Sequence, residues 1–280
     1  MLKNKYATYI SFIFALTFGC QQKKSVEIPN VGLSFNTLKS DTTIYLFNDS
    51  SYPKCRIDIS LEFAKEASNE ELKNSIDRFI IQSTLGDRYD TMNVENAVAE
   101  YIKDYIVEYK NLEADLKEGD QSLLVGASYN YDNIIESKFT YKDQNILSLC
   151  NNSYLYTGGA HGMSSQYNYV YDQRDDKIVR LNNIFDESSY TELGNLIVGQ
   201  VTTDKGYTDS AKLYDDGYFS IDEIFPTENF SVNTDGITWV YNPYEIAAYS
   251  AGQTSVFIPW FKVAKYTIAD SPVAYLIEKD

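Results

Sequence analysis

The stretch Cys55–Phe63, CRIDISLEF, alternates apolar and polar side chains without interruption. Because successive side chains of a strand point to opposite faces of its sheet, this alternation predicts a half-buried strand. The apolar face would carry Cys55, Ile57, Ile59, Leu61 and Phe63, and the polar face Arg56, Asp58, Ser60 and Glu62. Residues 42–47 predict a partner strand just before it.

Two helices are predicted after this strand. Ser68 and Glu71 form a capping box, and apolar residues then recur at helical spacing as far as Gly86. A second and longer helix is predicted over 94–117, because apolar residues again repeat along one face until Gly119 stops them.

From Ser122 onward, short β-rich segments alternate with polar turns. A second capping box, SYTE over 189–192, predicts a third helix, and Asp235-Gly236 between two alternating runs predicts a tight hairpin. Final strands are predicted near 255–259 and 272–277. Since strands and helices do not alternate regularly, the pattern predicts an α+β fold with a two-part body, antiparallel sheets and helices packed on one side.

The N-terminus predicts export. Lys3 and Lys5 precede an apolar run over 9–18, which is shorter than the roughly 20 residues that span a bilayer. The following Gly19-Cys20 resembles the lipobox of bacterial lipoproteins, so residues 1–19 would be a signal peptide and Cys20 the lipidated residue. The alternative is an ordinary secretory signal followed by a chance cysteine.

The rest of the chain divides into three predicted segments: a tether over 20–38, a smaller ββαα domain over 39–121 and an α+β domain over 122–280. We expect a lipid-anchored, extracytoplasmic protein of the bacterial cell envelope, placed at the outer membrane. The lipid anchor would be its only membrane contact.

The charge balance favours a basic partner. The chain carries 24 lysines and arginines against 40 acids, a net charge of −16. Removal of Lys3 and Lys5 with the signal peptide leaves 22 basic residues against 40 acids, or −18. Such a body repels nucleic acid and anionic membranes and attracts cationic proteins. Simple solubility is the other explanation of this charge.

Two cysteines remain after Cys20. In an oxidising compartment Cys55 and Cys150 could form a disulfide, or both could be small buried residues without a partner. With these two thiols and one histidine, the sequence predicts no metal site and no cofactor. The acidic pairs at 175–176 and 215–216 lack EF-hand spacing and predict solvated turns.

The only histidine lies in a glycine-rich stretch, YLYTGGAHG over 154–162. Gly158, Gly159 and Gly162 predict a hairpin loop with positive φ angles, in which His161 would bond the backbone through both ring nitrogens. Contact with a ligand and general-base catalysis are the alternatives for His161. No nucleophile motif accompanies it, so we expect no enzyme activity.

A third stretch, NPYEIAAYSAG over 242–252, has two interpretations. Tyr244 and Tyr249 could pack as core aromatics beside the turn at Pro243. Alternatively Pro243, Tyr244, Glu245 and Tyr249 form an outward-facing loop that binds a partner, because tyrosine offers a large apolar area with a polar end.

YLYTGGAHG, LNNIFD over 181–186 and DGITWVYNPYEIAAYSAG over 235–252 together resemble the RsiV-like family, a domain of unknown function. The resemblance implies a non-catalytic binding domain, since the family includes the lysozyme-binding outer domain of an anti-sigma factor. It also implies a link to peptidoglycan deacetylases, whose metal site one histidine cannot supply. A glycan or peptidoglycan-fragment binding module is the first alternative, and a glycan-acting enzyme with a carboxylate pair the second.

Overall fold

A six-stranded sheet organises the protein. The computed structural model describes residues 32–118 and 129–277. Neighbouring strands of this large sheet follow their order in the chain: β1 (Ser34–Tyr45), β2 (Lys54–Glu66), β3 (Tyr131–Lys142), β4 (Ile146–Tyr156), β5 (Met163–Asp172) and β6 (Lys177–Val179). The alternating stretch at 55–63 lies within β2, as predicted, and residues 42–45 of the predicted partner lie within β1.

All strand pairs of the large sheet are antiparallel except β2 and β3, which are parallel. Parallel neighbours need a long crossover connection, and this one contains α1 (Glu70–Thr84) and α2 (Val94–Glu118). The sequence predicted both helices, but it predicted antiparallel pairing because helices do not alternate with strands elsewhere in the chain.

The first core lies between α1, α2 and one face of the large sheet. Apolar side chains of β2 are fully buried in it, and Leu147, Leu149 and Tyr171 of β4 and β5 continue the same layer. The Tyr171 ring stacks on Phe79 of α1 with centroids 4.7 Å apart. Burial of this apolar face is what holds the helices on the sheet.

The second core lies against the opposite face of the same sheet. It contains a three-stranded antiparallel sheet, β7 (Phe230–Val232), β8 (Gly236–Tyr241) and β9 (Thr254–Pro259), together with α3 (Tyr190–Asp204). Trp239 is fully buried there, beside Ile146 and Val170 of the large sheet. The α+β class is confirmed, while the helices lie on both faces of the large sheet and not on one.

Several predicted boundaries are corrected by local hydrogen bonds. Asn69, not Ser68, caps α1, because its Oδ1 accepts from the backbone N–H of Leu72 at 2.8 Å. Ser189 already has helical φ and ψ, and its hydroxyl donates to the backbone oxygen of Asp186, so it does not cap α3.

Two further segments differ from the prediction. The predicted final strand contains a short helix, α5 (Ala274–Ile277), after α4 (Trp260–Val263). A short apolar run does not distinguish a strand from a helix by its period, which explains the error. β1 also begins at Ser34, inside the segment predicted to be a tether.

The predicted signal peptide and Cys20 lie outside the described residues, as does the proposed domain boundary at 121–122. The pairing of β2 with β3 joins segments from both sides of that boundary into one sheet. Within 32–118 and 129–277, no helix has the length and apolar character needed to cross a membrane.

The predicted disulfide is wrong. Cys55 and Cys150 are both buried and free. Cys55 lies beside Tyr131 and Cys150 beside Lys138, two positions on β3 that are roughly 23 Å apart at the usual rise of a strand. A disulfide needs Cα atoms within about 7 Å of each other. The alternative, two small buried residues without a partner, describes the structure.

Candidate functional site

The glycine-rich loop joins β4 to β5 as a hairpin connection, as the sequence predicted. Gly158 has a φ of 92° and Gly159 a φ of 95°. Side-chain-bearing residues rarely adopt this conformation, so both glycines meet a backbone requirement.

Gly162 is needed for a different reason than predicted. Its φ is not among the positive ones, but a Cβ atom placed on it would lie 2.5 Å from the ring of Tyr154. The loop backbone therefore passes directly over an aromatic ring of β4, and only a residue without a side chain fits there without moving that ring.

His161 stacks on Tyr249 of the third sequence motif. The two ring centroids are 4.3 Å apart and the ring planes differ by 24°. His161 is exposed, and its Nδ1 lies 3.1 Å from the backbone oxygen of Gly162, to which it can donate. The Tyr249 hydroxyl donates to the same oxygen at 2.9 Å. Two motifs far apart in the sequence thus meet at one carbonyl group.

Tyr244 extends this stack onto the surface. Its ring lies 5.6 Å from that of Tyr249 at 30°, and 55% of the residue is exposed. Its backbone has a φ of 73°, which is strained for a residue with a bulky side chain. We call His161, Tyr249 and Tyr244 the aromatic ladder.

A set of hydrogen bonds holds Tyr244 in this conformation. Its N–H donates to the backbone oxygen of Ala247 at 3.0 Å, and that of Glu245 donates to the backbone oxygen of Asn242 at 3.1 Å. The Glu245 carboxylate in turn accepts from the N–H of Asn242 at 2.9 Å. Glu245, predicted as a partner contact, is therefore part of the turn that presents Tyr244.

Asn242 connects this turn to the large sheet. β6 pairs with β5 only over 170–172, so among the described residues no strand pairs with the first part of β5 on that side. The backbone N–H groups of Gln166 and Asn168 on that edge donate to the side-chain oxygens of Asn242 and Asn229 at 2.8 and 2.7 Å. Neither asparagine was predicted from the sequence, although Asn242-Pro243 at the end of an alternating run was a signal for a turn.

An acidic and aromatic segment, 213–261, borders the ladder at residues 217–219. The segment 213–261 contains no lysine or arginine. Phe219 and Gly217 bond through their backbones to Ile246 and Ala248, beside Tyr244, at 2.9 Å each. The segment contributes the exposed aromatic residues Tyr214, Phe219, Phe225, Phe257 and Phe261 and the exposed acids Asp215, Asp222, Glu223, Glu228 and Asp235.

The ladder lacks the partners that acid–base catalysis uses. Over the described residues, no hydroxyl, thiol or carboxylate bonds to either ring nitrogen of His161, and Nε2 has no protein partner, contrary to the prediction of two backbone bonds. Asp172, the last residue of β5, is buried and held in a two-point ion pair with Arg174 at 2.9 and 2.8 Å.

The acidic pairs are bonded to protein groups. In the first pair, the carboxylates accept hydrogen bonds from Lys177 (Asp175) and Tyr171 (Asp176). In the second pair, they accept from Lys212 (Asp215) and Tyr207 (Asp216). The Lys177 ammonium lowers the pKa of Asp175. Within the described ranges, no group of three or more histidine, cysteine or acidic side chains could hold a metal ion.

Comparisons with known families divide the chain in two. The family described as "Protein of unknown function (DUF3298)" matches residues 182–261, and "Deacetylase PdaC" matches residues 48–164. His161 comes from the second match, and Tyr244 and Tyr249 come from the first. The aromatic ladder therefore forms where the two matched segments meet.

Solved structures resemble nearly the whole chain. A member of the DUF3298 family from Bacteroides fragilis is 30% identical, with a TM-score of 0.83 over 89% of this chain and 98% of that chain. A DUF3298 family protein from Pseudomonas aeruginosa shares the fold at 16% identity, with a TM-score of 0.58 over 85% of this chain and 96% of that one. No curated protein matches the chain.

Proposed function

Because this chain belongs to the DUF3298 family, whose function is unknown, we propose a function from the aromatic ladder and its surroundings. We propose that the protein is a non-catalytic lipoprotein of the cell envelope that binds a basic protein. A basic muramidase such as lysozyme is the partner that the RsiV-like resemblance suggests.

The observation that supports binding is the exposed, strained Tyr244. A tyrosine at positive φ costs free energy, and the fold retains it through the hydrogen bonds of Asn242 and Glu245. The Tyr244 ring adds little to the core, because more than half of the residue is exposed. Strain of this kind concentrates at functional sites, where it holds a side chain in position before a partner arrives.

The charge of the surface supports a basic partner. The segment 213–261 contains acidic and aromatic side chains and no lysine or arginine of its own, and of its acids Asp215 and Asp216 pair with Lys212 and Lys205. A cationic protein would be attracted to this surface over a distance of about 10 Å at moderate salt. The aromatic rings would then supply the apolar area that stabilises the complex, as tyrosine does at many interfaces.

Calorimetric titration with a c-type lysozyme at low and moderate salt tests this proposal. We expect binding at micromolar concentrations that weakens as salt is added, because charge attraction is screened. Tyr244→Ala should weaken the complex about tenfold, the effect of losing one central tyrosine contact.

Tyr167→Ala is the matched control. Tyr167 is 46% exposed on β5, and it lies two residues before Tyr169, which packs on the first core. Its side chain therefore points to the face of the sheet opposite the second core. The control should bind like the wild type. No heat at micromolar concentrations and low salt, or equal binding by the Tyr244→Ala protein, would overturn the proposal.

A further inference from the structure

A second surface, remote in sequence from the ladder, has the form of a small-ligand site. It is a groove of about 510 Å³ beside α2 and the turn over 87–89, a volume within the range of known ligand sites. Its walls include Arg88, Tyr89, Tyr101, Asp104, Tyr105 and Glu108. We call it the tyrosine groove.

The chain's own Arg88 occupies one end of the tyrosine groove. Its guanidinium group lies over the Tyr89 ring, 5.7 Å from the centroid, and pairs with Asp104 Oδ2 at 3.0 Å. The Tyr89 hydroxyl donates to the same oxygen at 2.9 Å, which fixes the ring beside the carboxylate. The Arg88 side chain is still 70% exposed. This end of the groove therefore holds a guanidinium group by an aromatic face and a carboxylate without burying it.

The other end repeats this combination of rings and a carboxylate. Tyr101 and Tyr105, one helical turn apart on α2, have nearly parallel rings with centroids 6.4 Å apart. Asn133, which is buried, donates to the Tyr101 hydroxyl at 3.0 Å and so holds that ring in place. Glu108 follows Tyr105 by three positions, which places it on the same face of the helix. Over the parts of the chain that the structure describes, no lysine or arginine lies over either ring.

The charges around the tyrosine groove favour a cation. Residues 87–113 contain seven acids and three basic residues. Each basic residue already pairs with an acid of this stretch: Arg88 with Asp104, Lys103 with Glu100, and Lys110 with Glu113. Within the described ranges, the Glu108 carboxylate and Asp104 Oδ1 have no protein partner. A cation would gain from these carboxylates and from the negative faces of the rings, whereas a neutral group would gain hydrogen bonds alone.

We propose that the tyrosine groove binds an arginine side chain of a basic polypeptide. A guanidinium plane can stack on the Tyr105 ring while two of its N–H groups donate to the Glu108 carboxylate, which an ammonium group cannot reproduce. Val107, which is 56% exposed beside Glu108, offers apolar surface to the methylene groups of the arginine. The groove would thus hold a second guanidinium group in the way that it already holds that of Arg88.

This inference does not depend on the proposed binding of lysozyme at the aromatic ladder. The tyrosine groove lies within residues 88–111, whereas the ladder comes from 161 and 244–249. Tyr244→Ala should therefore leave arginine binding intact. A small arginine derivative tests the groove by itself, so its result stands whether or not lysozyme binds.

Amide NMR titration with Nα-acetylarginine amide tests the inference. We expect a Kd of about 1 mM, reasonable for a ligand of this size, with shifts concentrated over 88–111. Nα-acetylcitrulline amide has nearly the same shape but no charge, and it should bind about tenfold more weakly. Nα-acetyllysine amide keeps the charge but lacks the planar fork, and it should bind several-fold more weakly.

Variants of the groove separate the charge from the ring. Glu108→Gln, at an exposed position without protein hydrogen bonds, keeps the shape and should weaken binding about tenfold. Tyr105→Leu should weaken binding several-fold, while Tyr105→Phe keeps the ring and should bind like the wild type. Glu95→Gln removes a charge from the first turn of α2, outside the tyrosine groove, and is the matched control that should leave affinity unchanged.

Arg88→Gln gives a result of the opposite sign. Its removal frees Asp104 Oδ2 and takes away a competing guanidinium group, so arginine should bind about threefold more tightly.

Four results would overturn the inference. They are no shifts over 88–111 at about 20 mM arginine derivative, equal binding of the citrulline derivative, full affinity in the Glu108→Gln protein, and weaker binding by the Arg88→Gln protein.

Discussion

Two substitutions at Tyr244 separate the strain of its backbone from the contacts of its ring. The residue combines a φ of 73° with an exposed side chain. A left-handed conformation costs a residue with a Cβ atom about 1–2 kcal/mol, a cost that glycine avoids. Alanine at this position keeps that cost, whereas glycine removes it.

The expected difference between the two variants in the free energy of unfolding follows from what they share. Both lose the ring and its contact with Tyr249 at 5.6 Å, so this loss cancels when they are compared. Glycine gains the released strain and loses about 0.5–1 kcal/mol to the greater freedom of its unfolded chain. We therefore expect Tyr244→Gly to be about 0.75 kcal/mol more stable than Tyr244→Ala, a difference of about 2–3 °C in Tm for a chain of this size.

Urea unfolding and thermal melts of the two variants measure this difference, and lysozyme titration of the same samples measures function. Both variants should lose affinity equally, because neither carries the ring. If the alanine variant proves as stable as the glycine variant, the backbone at this position stores no strain, and the main support for a preorganised binding site disappears.

Three further predictions concern the loop and the buried thiol. Gly159→Ala should lower stability by about 1 kcal/mol in thermal melts, because its φ is 95°, and an unchanged Tm would mean that the loop relaxes. His161→Gln, at an exposed position, should change stability by less than about 0.5 kcal/mol yet weaken lysozyme binding, and equal affinity would remove His161 from the site. Burial raises the pKa of the Cys55 thiol from 9.0 to about 12, so the folded state holds its proton while the unfolded state loses it. Stability should therefore fall as pH rises above 9, and urea unfolding should show a smaller fall in Cys55→Ala.

Local patterns predicted much of the fold. The alternation over 55–63 depends only on the period of a strand, and the Asp235-Gly236 hairpin depends on residues next to each other in the chain. The parallel pairing of β2 and β3 depends on how a long helical connection crosses the sheet, and no local period encodes that. The same reason explains the wrong disulfide, because the distance between Cys55 and Cys150 is set by strand register.

The candidate site was predicted in pieces. The glycines predicted a hairpin loop with positive φ angles. The third motif predicted a turn whose tyrosines could face either the core or the solvent. The stacking of His161 on Tyr249 joins residues far apart in the chain, so it requires the packed structure. The tyrosine groove was not located from sequence, although the i, i+4 spacing of Tyr101 and Tyr105 on a predicted helix was a usable signal.

The position of the ladder explains how an exposed loop can be rigid. The hairpin loop contributes His161 and the end of β8 leads into the turn of Tyr244, so each is anchored by a different sheet. Asn242 joins them, since its side chain satisfies an N–H group of β5 while its backbone closes the turn with Glu245. Loosening this turn would leave the part-buried N–H group of Gln166 on β5 without its acceptor, at a cost of at most about 1–3 kcal/mol. The sheet edge therefore stabilises the strained turn. Because the loop is already ordered, a partner that binds the ladder would lose little free energy in ordering it.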